Sequence, residues 1–282
     1  MIKKHLSRLI PLAYGQWLNL LSLFNSKVAA EKAFQIFCTI RKGRVKPVQA
    51  SFLDAAKHTV ENAAGQQLQS YHWPGTKGPV LLLHGWESNT YRWRNLIKKL
   101  REHDFDIFAF DAPAHGYSTG KILHVPLYAE AVRHFLDTFK PAMVVAHSVG
   151  GMTILFDHYN HPNSSVDKIV TVGSPSEFEQ FMGQFQGILK FNERVRKAMN
   201  KRLKQWFGYY FHEFSSTRFV ANNTKKGLLF HDKQDAQVPH TASVQVHEHW
   251  KGSRLVLTEG LGHSMHQNGV NEQIINFLET DN

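Results

Sequence analysis

Val144 to Gly151 reads VVAHSVGG, a β-branched run that ends on a serine set between small residues. A serine hydroxyl becomes a useful nucleophile only when a base takes its proton, and the base needs a third group to hold it. Histidine and a carboxylate are the residue types suited to those roles. Both occur downstream at the ends of apolar runs. GLLFHD continues into HDKQDAQVP, which brings Asp232 and Asp235, and SRLVLTEG continues into GLGHSM, which brings His263 and then His266. Ser148, an aspartate and His263 therefore follow in the order serine, acid, histidine, a set able to carry acyl transfer. Ala146 and Gly150 flank the serine at two positions either side, where a sharp strand-to-helix turn needs small side chains. Serine is also an ordinary turn former, so this stretch alone leaves both readings open.

The elements that must position these residues show as alternating signals after residue 79. PVLLLHG (79 to 85), FDIFAFDAP (105 to 113), AMVVAHS (142 to 148), KIVTVGSP (168 to 175), GLLFHD (227 to 232) and SRLVLTEG (253 to 260) read as short buried strands. Helical segments separate them: Tyr91 to Arg101, Pro126 to Phe139, GGMTILFDHYN and Val270 to Leu278. The expected fold class is α/β, with a mainly parallel central sheet flanked by helices. Catalytic loops then belong at the carboxyl ends of the strands.

Between Pro175 and Lys226 the alternation stops for too long a stretch to be a connecting loop. The expected organisation is an N-terminal helical extension (1–45), a core (46–176 and 227–282) and an inserted helical lid (177–226). In the insertion Ile188, Phe191, Val195, Met199, Leu203 and Trp206 follow one helical face. Lys190, Arg194, Lys197, Lys201 and Lys204 follow the opposite one. Phe181, Phe185, Trp206, Phe207, Tyr209, Tyr210 and Phe211 suit either helix packing or an apolar acyl pocket.

Composition narrows the function classes. Of 282 residues 42% are hydrophobic and 20% charged, which is enough apolar material for a large core. The formal net charge is +10, and seven basic residues against one acidic fall between Lys190 and Lys204. No nucleic-acid-binding motif accompanies that charge, so nucleic acid is not an expected partner, whereas contact with an anionic membrane surface is compatible with it. Cys38 is the sole cysteine, which rules out an intrachain disulfide and suits a cytoplasmic location. Export is the alternative, since Lys3, Lys4 and Arg8 precede an apolar stretch with Val28-Ala29-Ala30 after it. Pro11, Gln16 and Asn19 interrupt that stretch, and the spacing of Ile10, Tyr14, Trp17, Leu21, Phe24 and Val28 predicts instead an amphipathic helix packed through that face. Eighteen histidines contain no H-E-x-x-H, and His247 and His249 alone offer two ligands on an expected strand face, so no metal is expected. No glycine-rich fingerprint supports a dinucleotide, and no cofactor is expected.

From about Pro79 onward, excluding the insertion, the motifs LLLHGW, FDAPAHGYS, AHSVGG, HDKQDAQVP and GLGHS resemble in content and order the α/β-hydrolase superfamily. The resemblance implies a serine hydrolase acting on a small-molecule ester, with a thioester or amide as variants, through an acyl-serine. It implies Ser148 as nucleophile, His263 as general base and Asp235 as the acid. Asp235 fits the family's loop before Pro239 better than Asp232, which occupies a position usually glycine in similar proteins. It also implies an oxyanion hole from the backbone N–H groups of Trp86 and Val149. Gly85, His84 and His147 are the candidate substrate-lining residues; in similar proteins such histidines mostly shape the cleft. Asp111 and His115 are expected to fix a turn. A serine rather than an aspartate at the elbow separates the chain from similar dehalogenases and epoxide hydrolases. A non-catalytic binder and a membrane-associated, lipid-acting hydrolase are the alternative functions.

Overall fold

Leu81, Val144, Val145, Ile169, Val170 and Leu228 are fully buried, as the strands of a sheet covered on both faces must be. In the computed structural model, which describes residues 2–280 and their side chains from residue 9 onward, the first elements are α1 (Ile2–Phe24), α2 (Ser26–Cys38) and α3 (Pro47–Asp54). There follow β1 (Lys57–Ala63), β2 (Gln66–Trp73), β3 (Lys77–Leu83), α4 (Arg94–Glu102), β4 (Phe105–Phe110) and α5 (Val125–Phe139). Then come β5 (Met143–His147), α6 (Val149–Asn160), β6 (Lys168–Val172), α7 (Phe178–Leu189) and α8 (Glu193–Phe207). The chain ends with α9 (Ser216–Val220), β7 (Lys226–Asp232), α10 (Thr241–His249), β8 (Ser253–Thr258) and α11 (Asn268–Glu279).

The chain forms two compact units, residues 40–176 with 216–280 and residues 2–39 with 177–215. The first holds one eight-stranded sheet in the order β1-β2-β4-β3-β5-β6-β7-β8. Strands β3 to β8 pair parallel, as the alternation of strands and helices requires, and β1 and β2 pair antiparallel at one edge. The β1–β2 hairpin has no counterpart in the sequence reading. Its turn, Ala64-Gly65, takes positive φ at both residues, the geometry that matches the twist of paired strands.

The second unit corrects the expected three-part division: the N-terminal helices and the inserted helices pack as one body. Phe34 of α2 meets Trp206 and Phe207 of α8 with ring centroids 5.4 and 5.8 Å apart, and Glu31 pairs with Arg202 at 2.5 Å. At Gly15 of α1 an added Cβ would lie 1.7 Å from the carbonyl oxygen of Leu189, so the α1 backbone rests directly on the end of α7. That contact overturns the expected packed face of α1. The face turned inward carries Gly15, Leu18 and Ser22, while Ile10, Tyr14, Trp17 and Phe24 are 50%, 46%, 44% and 82% exposed. The helix is apolar on several sides, and close approach at a glycine selected a side that apolar spacing does not mark. The side chains of Lys3, Lys4 and Arg8 lie outside the described residues.

In the inserted segment the chain breaks at Lys190, whose φ is +59°, and Asn192 caps α8 by accepting the N–H of Val195 at 3.1 Å. Phe191, Val195, Met199 and Leu203 are buried as the spacing requires, but Ile188 belongs to the preceding helix and is exposed. Several of the aromatic side chains considered for an acyl pocket are engaged inside this unit, including Phe185 with Phe37 and Phe191, and Tyr209 with Phe214. Among the described residues no helix is long and apolar enough to cross a membrane.

Candidate active site

Strand β5 runs buried to His147, and α6 begins at Val149, so a single residue, Ser148, turns the chain. It does so with φ +52° and ψ −125°, a conformation that costs a non-glycine residue about 1–3 kcal/mol and persists only where the surroundings enforce it. Those surroundings are tight. The Ser148 N–H donates to the carbonyl of Val172 at 2.9 Å, and its own carbonyl accepts the N–H of Gly151 at 2.9 Å. A Cβ on Gly150 would stand 2.7 Å from the backbone oxygen of His84, so α6 lies against the end of β3 with no room for a side chain there. Gly150→Ala is accordingly expected to destabilise the fold by about 1–3 kcal/mol, read as a lower denaturation midpoint, and to cost activity by shifting Ser148. An unchanged midpoint would show that β3 and α6 can separate freely.

Asp235 lies on the loop after β7 and His263 on the loop after β8. His263 Nδ1 is 2.7 Å from Asp235 Oδ2, and Asp235 Oδ1 accepts the backbone N–H groups of Gln237 and Val238 at 2.8 and 3.0 Å. Burial works against the charge on Asp235, yet His231, His263 and these two amides hold its carboxyl well below the usual carboxylate range. A carboxylate can only accept, so Nδ1 of His263 carries a proton, and in the neutral tautomer this selects, Nε2 is the atom with the lone pair. Asp232 does not meet the imidazole. Its carboxylate accepts the Thr258 hydroxyl and the N–H groups of Leu261 and Gln234, which ties the two loops together.

Ser148 and His263 flank the same stretch of backbone. Ser148 bonds Val172, and a Cβ on the next residue, Gly173, would fall 3.3 Å from His263 Nδ1. His147 bridges the two loops: its Nε2–H donates to the carbonyl of His263 at 2.9 Å, and the two rings cross edge to face with centroids 4.7 Å apart. Burial, then Arg92 and His263, keep His147 well below the ordinary histidine value, so it is neutral. Gly85 approaches so closely that a Cβ there would lie 2.8 Å from His147 Nδ1 and 3.0 Å from Ser148 Cβ. Trp86 follows it, and Val149 opens α6, where first-turn N–H groups have no helical acceptor.

His84 departs from the substrate-lining expectation. It is fully buried, its Nδ1–H donates to the Gly85 carbonyl at 2.8 Å and its Nε2 accepts the Ala112 N–H at 2.9 Å, so no ring nitrogen is left for a ligand. Burial pushes it down to about 4. Asp111 accepts from the Tyr71 hydroxyl and from the N–H groups of Thr90 and Tyr117, and His115 bridges Pro113 and Glu87, so both residues knit the loops after β3 and β4. His231 is a participant that the sequence did not single out. It is fully buried with Nε2 3.3 Å from Asp235 Oδ2, and its Nδ1 meets the Ser243 hydroxyl at 2.7 Å. Its position in a buried strand four residues before Asp235 was the available signal.

Among the described residues no group of three or more histidine, cysteine or acidic side chains is arranged to hold a metal ion. His247 and His249 lie on helix α10, not on a strand, and residues two apart on a helix do not share a face.

Residues 78–219 match the family described as the alpha/beta hydrolase fold, and residues 210–282 match the family described as TAP-like protein. A pimeloyl-[acyl-carrier protein] methyl ester esterase from Vibrio vulnificus (strain YJ016) is 33% identical over 173 residues, 59% of this chain and 66% of that protein. The match therefore spans just under two thirds of that relative. A serine hydrolase-like protein from Danio rerio is 33% identical over 92 residues, 30% of this chain and 28% of that protein. Among solved structures, an esterase from Exiguobacterium antarcticum superposes with a TM-score of 0.64 at 19% identity, covering 79% of this chain and 100% of that one. A mainly parallel sheet of this order, a serine at the turn after β5, and a family match over half its length place the chain in one group: it belongs to the α/β-hydrolase family.

Proposed function

We propose that the chain is a serine hydrolase that cleaves a carboxylic ester through an acyl-serine intermediate. The observation that carries this reading is the strained turn at Ser148 combined with the buried contact between Asp235 and His263. The names of the relatives, esterases and a serine hydrolase-like protein, point the same way. In this mechanism the Ser148 hydroxyl attacks the ester carbonyl while Nε2 of His263 takes its proton. Asp235 stabilises the imidazolium that forms and keeps Nδ1 protonated. The N–H groups of Val149 and Trp86 stabilise the oxyanion, and collapse of the tetrahedral intermediate expels the alcohol with the proton returned by His263. Water then repeats the sequence against the acyl-serine and releases the acid. No step calls for a cofactor.

Covalent labelling with a fluorophosphonate tests the proposal, because that probe phosphonylates only a serine whose proton is taken by a base. Peptide mapping is expected to find the label at Ser148 and nowhere else, with no label on the Ser148→Ala protein. A folded wild-type protein that takes no label would instead favour a pocket that binds without turnover.

A further inference from the structure

Arg92 lies in the short 3-10 turn Thr90–Trp93 that follows the loop after β3, and it is only 8% exposed. Nη2 donates to the carbonyl of Ser264 at 3.0 Å, immediately beyond His263, and the guanidinium carbon sits 4.6 Å from the centre of the Trp93 ring. Nη1 is buried with no hydrogen-bond partner. Among the described residues no carboxylate pairs with this side chain. Burial and then Arg94 lower it to about 9, still cationic at neutral pH. The titratable groups that feel its charge are the Arg94 guanidinium and the imidazoles of His147, His266 and His84; burial holds the three histidines neutral, and none of the four supplies a counter-charge.

A guanidinium taken out of water is tolerated when its charge is matched and its N–H groups are used. Here one carbonyl and one aromatic face are provided, and a free Nη1 remains. The cation is anchored to the residue after His263 and is electrostatically coupled to the residue before Ser148, so it belongs to the same cluster of strand-end loops as the proposed nucleophile and base. We infer that Arg92 is a specificity residue that receives a carboxylate borne by the ester substrate. This rests on the esterase reading above and adds the substrate class to it: a half-ester of a dicarboxylic acid, or an ester of a hydroxy acid. A buried guanidinium with no paired carboxylate of its own is matched by one carboxylate from a ligand.

The test uses two matched pairs of esters, para-nitrophenyl hydrogen glutarate against para-nitrophenyl pentanoate and meta-acetoxybenzoate against meta-acetoxybenzamide. Wild-type protein is expected to prefer the charged member of at least one pair by roughly ten- to a hundredfold in kcat/KM, the scale of a charge-assisted pair. Arg92→Met is expected to erase that preference while the neutral esters change by less than about threefold, and Arg92→Lys, which keeps the charge, to retain part of it. Absence of preference in both pairs overturns the inference, as does an equal loss on charged and neutral esters, which would make Arg92 a strut for Ser264. A second arm is independent of turnover: calorimetric titration of monomethyl glutarate, a half-ester with one carboxylate, into folded Ser148→Ala protein with Arg92 intact or replaced by Met. Saturable binding that disappears with Arg92 supports the inference, and no binding to either protein counts against it. Failure of the esterase reading alone would appear as no turnover of any ester with monomethyl glutarate binding retained.

Discussion

Ser148→Ala is expected to lower kcat for any ester the protein hydrolyses by roughly 10⁴-fold or more, leaving only what binding and oxyanion stabilisation contribute. The fold should survive, because the hydroxyl takes no part in capping α6 and the backbone bonds to Val172 and Gly151 do not depend on the side chain. The strain at this residue allows a sharper expectation. Alanine keeps a Cβ at φ +52° and so keeps the strain, whereas glycine occupies that region without steric cost. Ser148→Gly should therefore be as inactive as Ser148→Ala but more stable than it by up to about 2 kcal/mol, the strain recovered less the extra backbone entropy of glycine. Parallel denaturation and steady-state kinetics on the two variants decide the matter. Inactive variants with glycine the more stable mean that the protein holds a strained backbone in order to present a hydroxyl. Retained turnover in either variant would reject Ser148 as the nucleophile.

The parallel strands, the serine turn and the order of acid and histidine were legible because each rests on local chemistry: an apolar run too short for a helix, ending on a polar residue. What stayed hidden depends on contacts distant in sequence. Strand β1 is mostly exposed and carries Lys57, His58, Thr59, Glu61 and Asn62, so no apolar alternation marks it, and it exists because β2 offers an edge to pair with. The packed face of α1 was misassigned because a glycine facing the end of α7 contributes nothing to a hydrophobic pattern while deciding where the helix can dock. Nothing in the sequence singles out Arg92 between Tyr91 and Trp93; its burial against the carbonyl of Ser264 and the ring of Trp93 is visible only in the fold. Between Asp235 and Asp232 the sequence favours the first only through the resemblance of its loop, and hydrogen-bond partners tell the two apart.

That distinction yields the second large effect. In Asp235→Asn the carboxamide oxygen is expected to keep the two backbone N–H groups of Gln237 and Val238, since those donors can be satisfied only by an acceptor. The amide NH₂ then faces His263, which must turn its unprotonated nitrogen toward it. Nδ1 becomes the acceptor and Nε2 carries the proton, so the base is spent before reaction begins. A loss in kcat of roughly 10³- to 10⁴-fold at neutral pH follows, against less than about tenfold for Asp232→Asn, whose carboxylate bonds Thr258 at the end of β8 and two loop N–H groups. Equal losses in the two variants would mean that loop integrity, not the imidazole tautomer, is what Asp235 supplies. Stability provides a second, independent check. Because the folded-state carboxyl of Asp235 is depressed, its contribution is fully present above the unfolded value near ~3.9 and is lost as pH falls through that value toward the lower folded one. Wild-type protein should therefore lose stability below about pH 4 more steeply than Asp235→Asn, which has no proton to take up at this site. The variant is thus expected to be the less stable protein at pH 7 and to close the gap in acid, as the charge that orients His263 is neutralised.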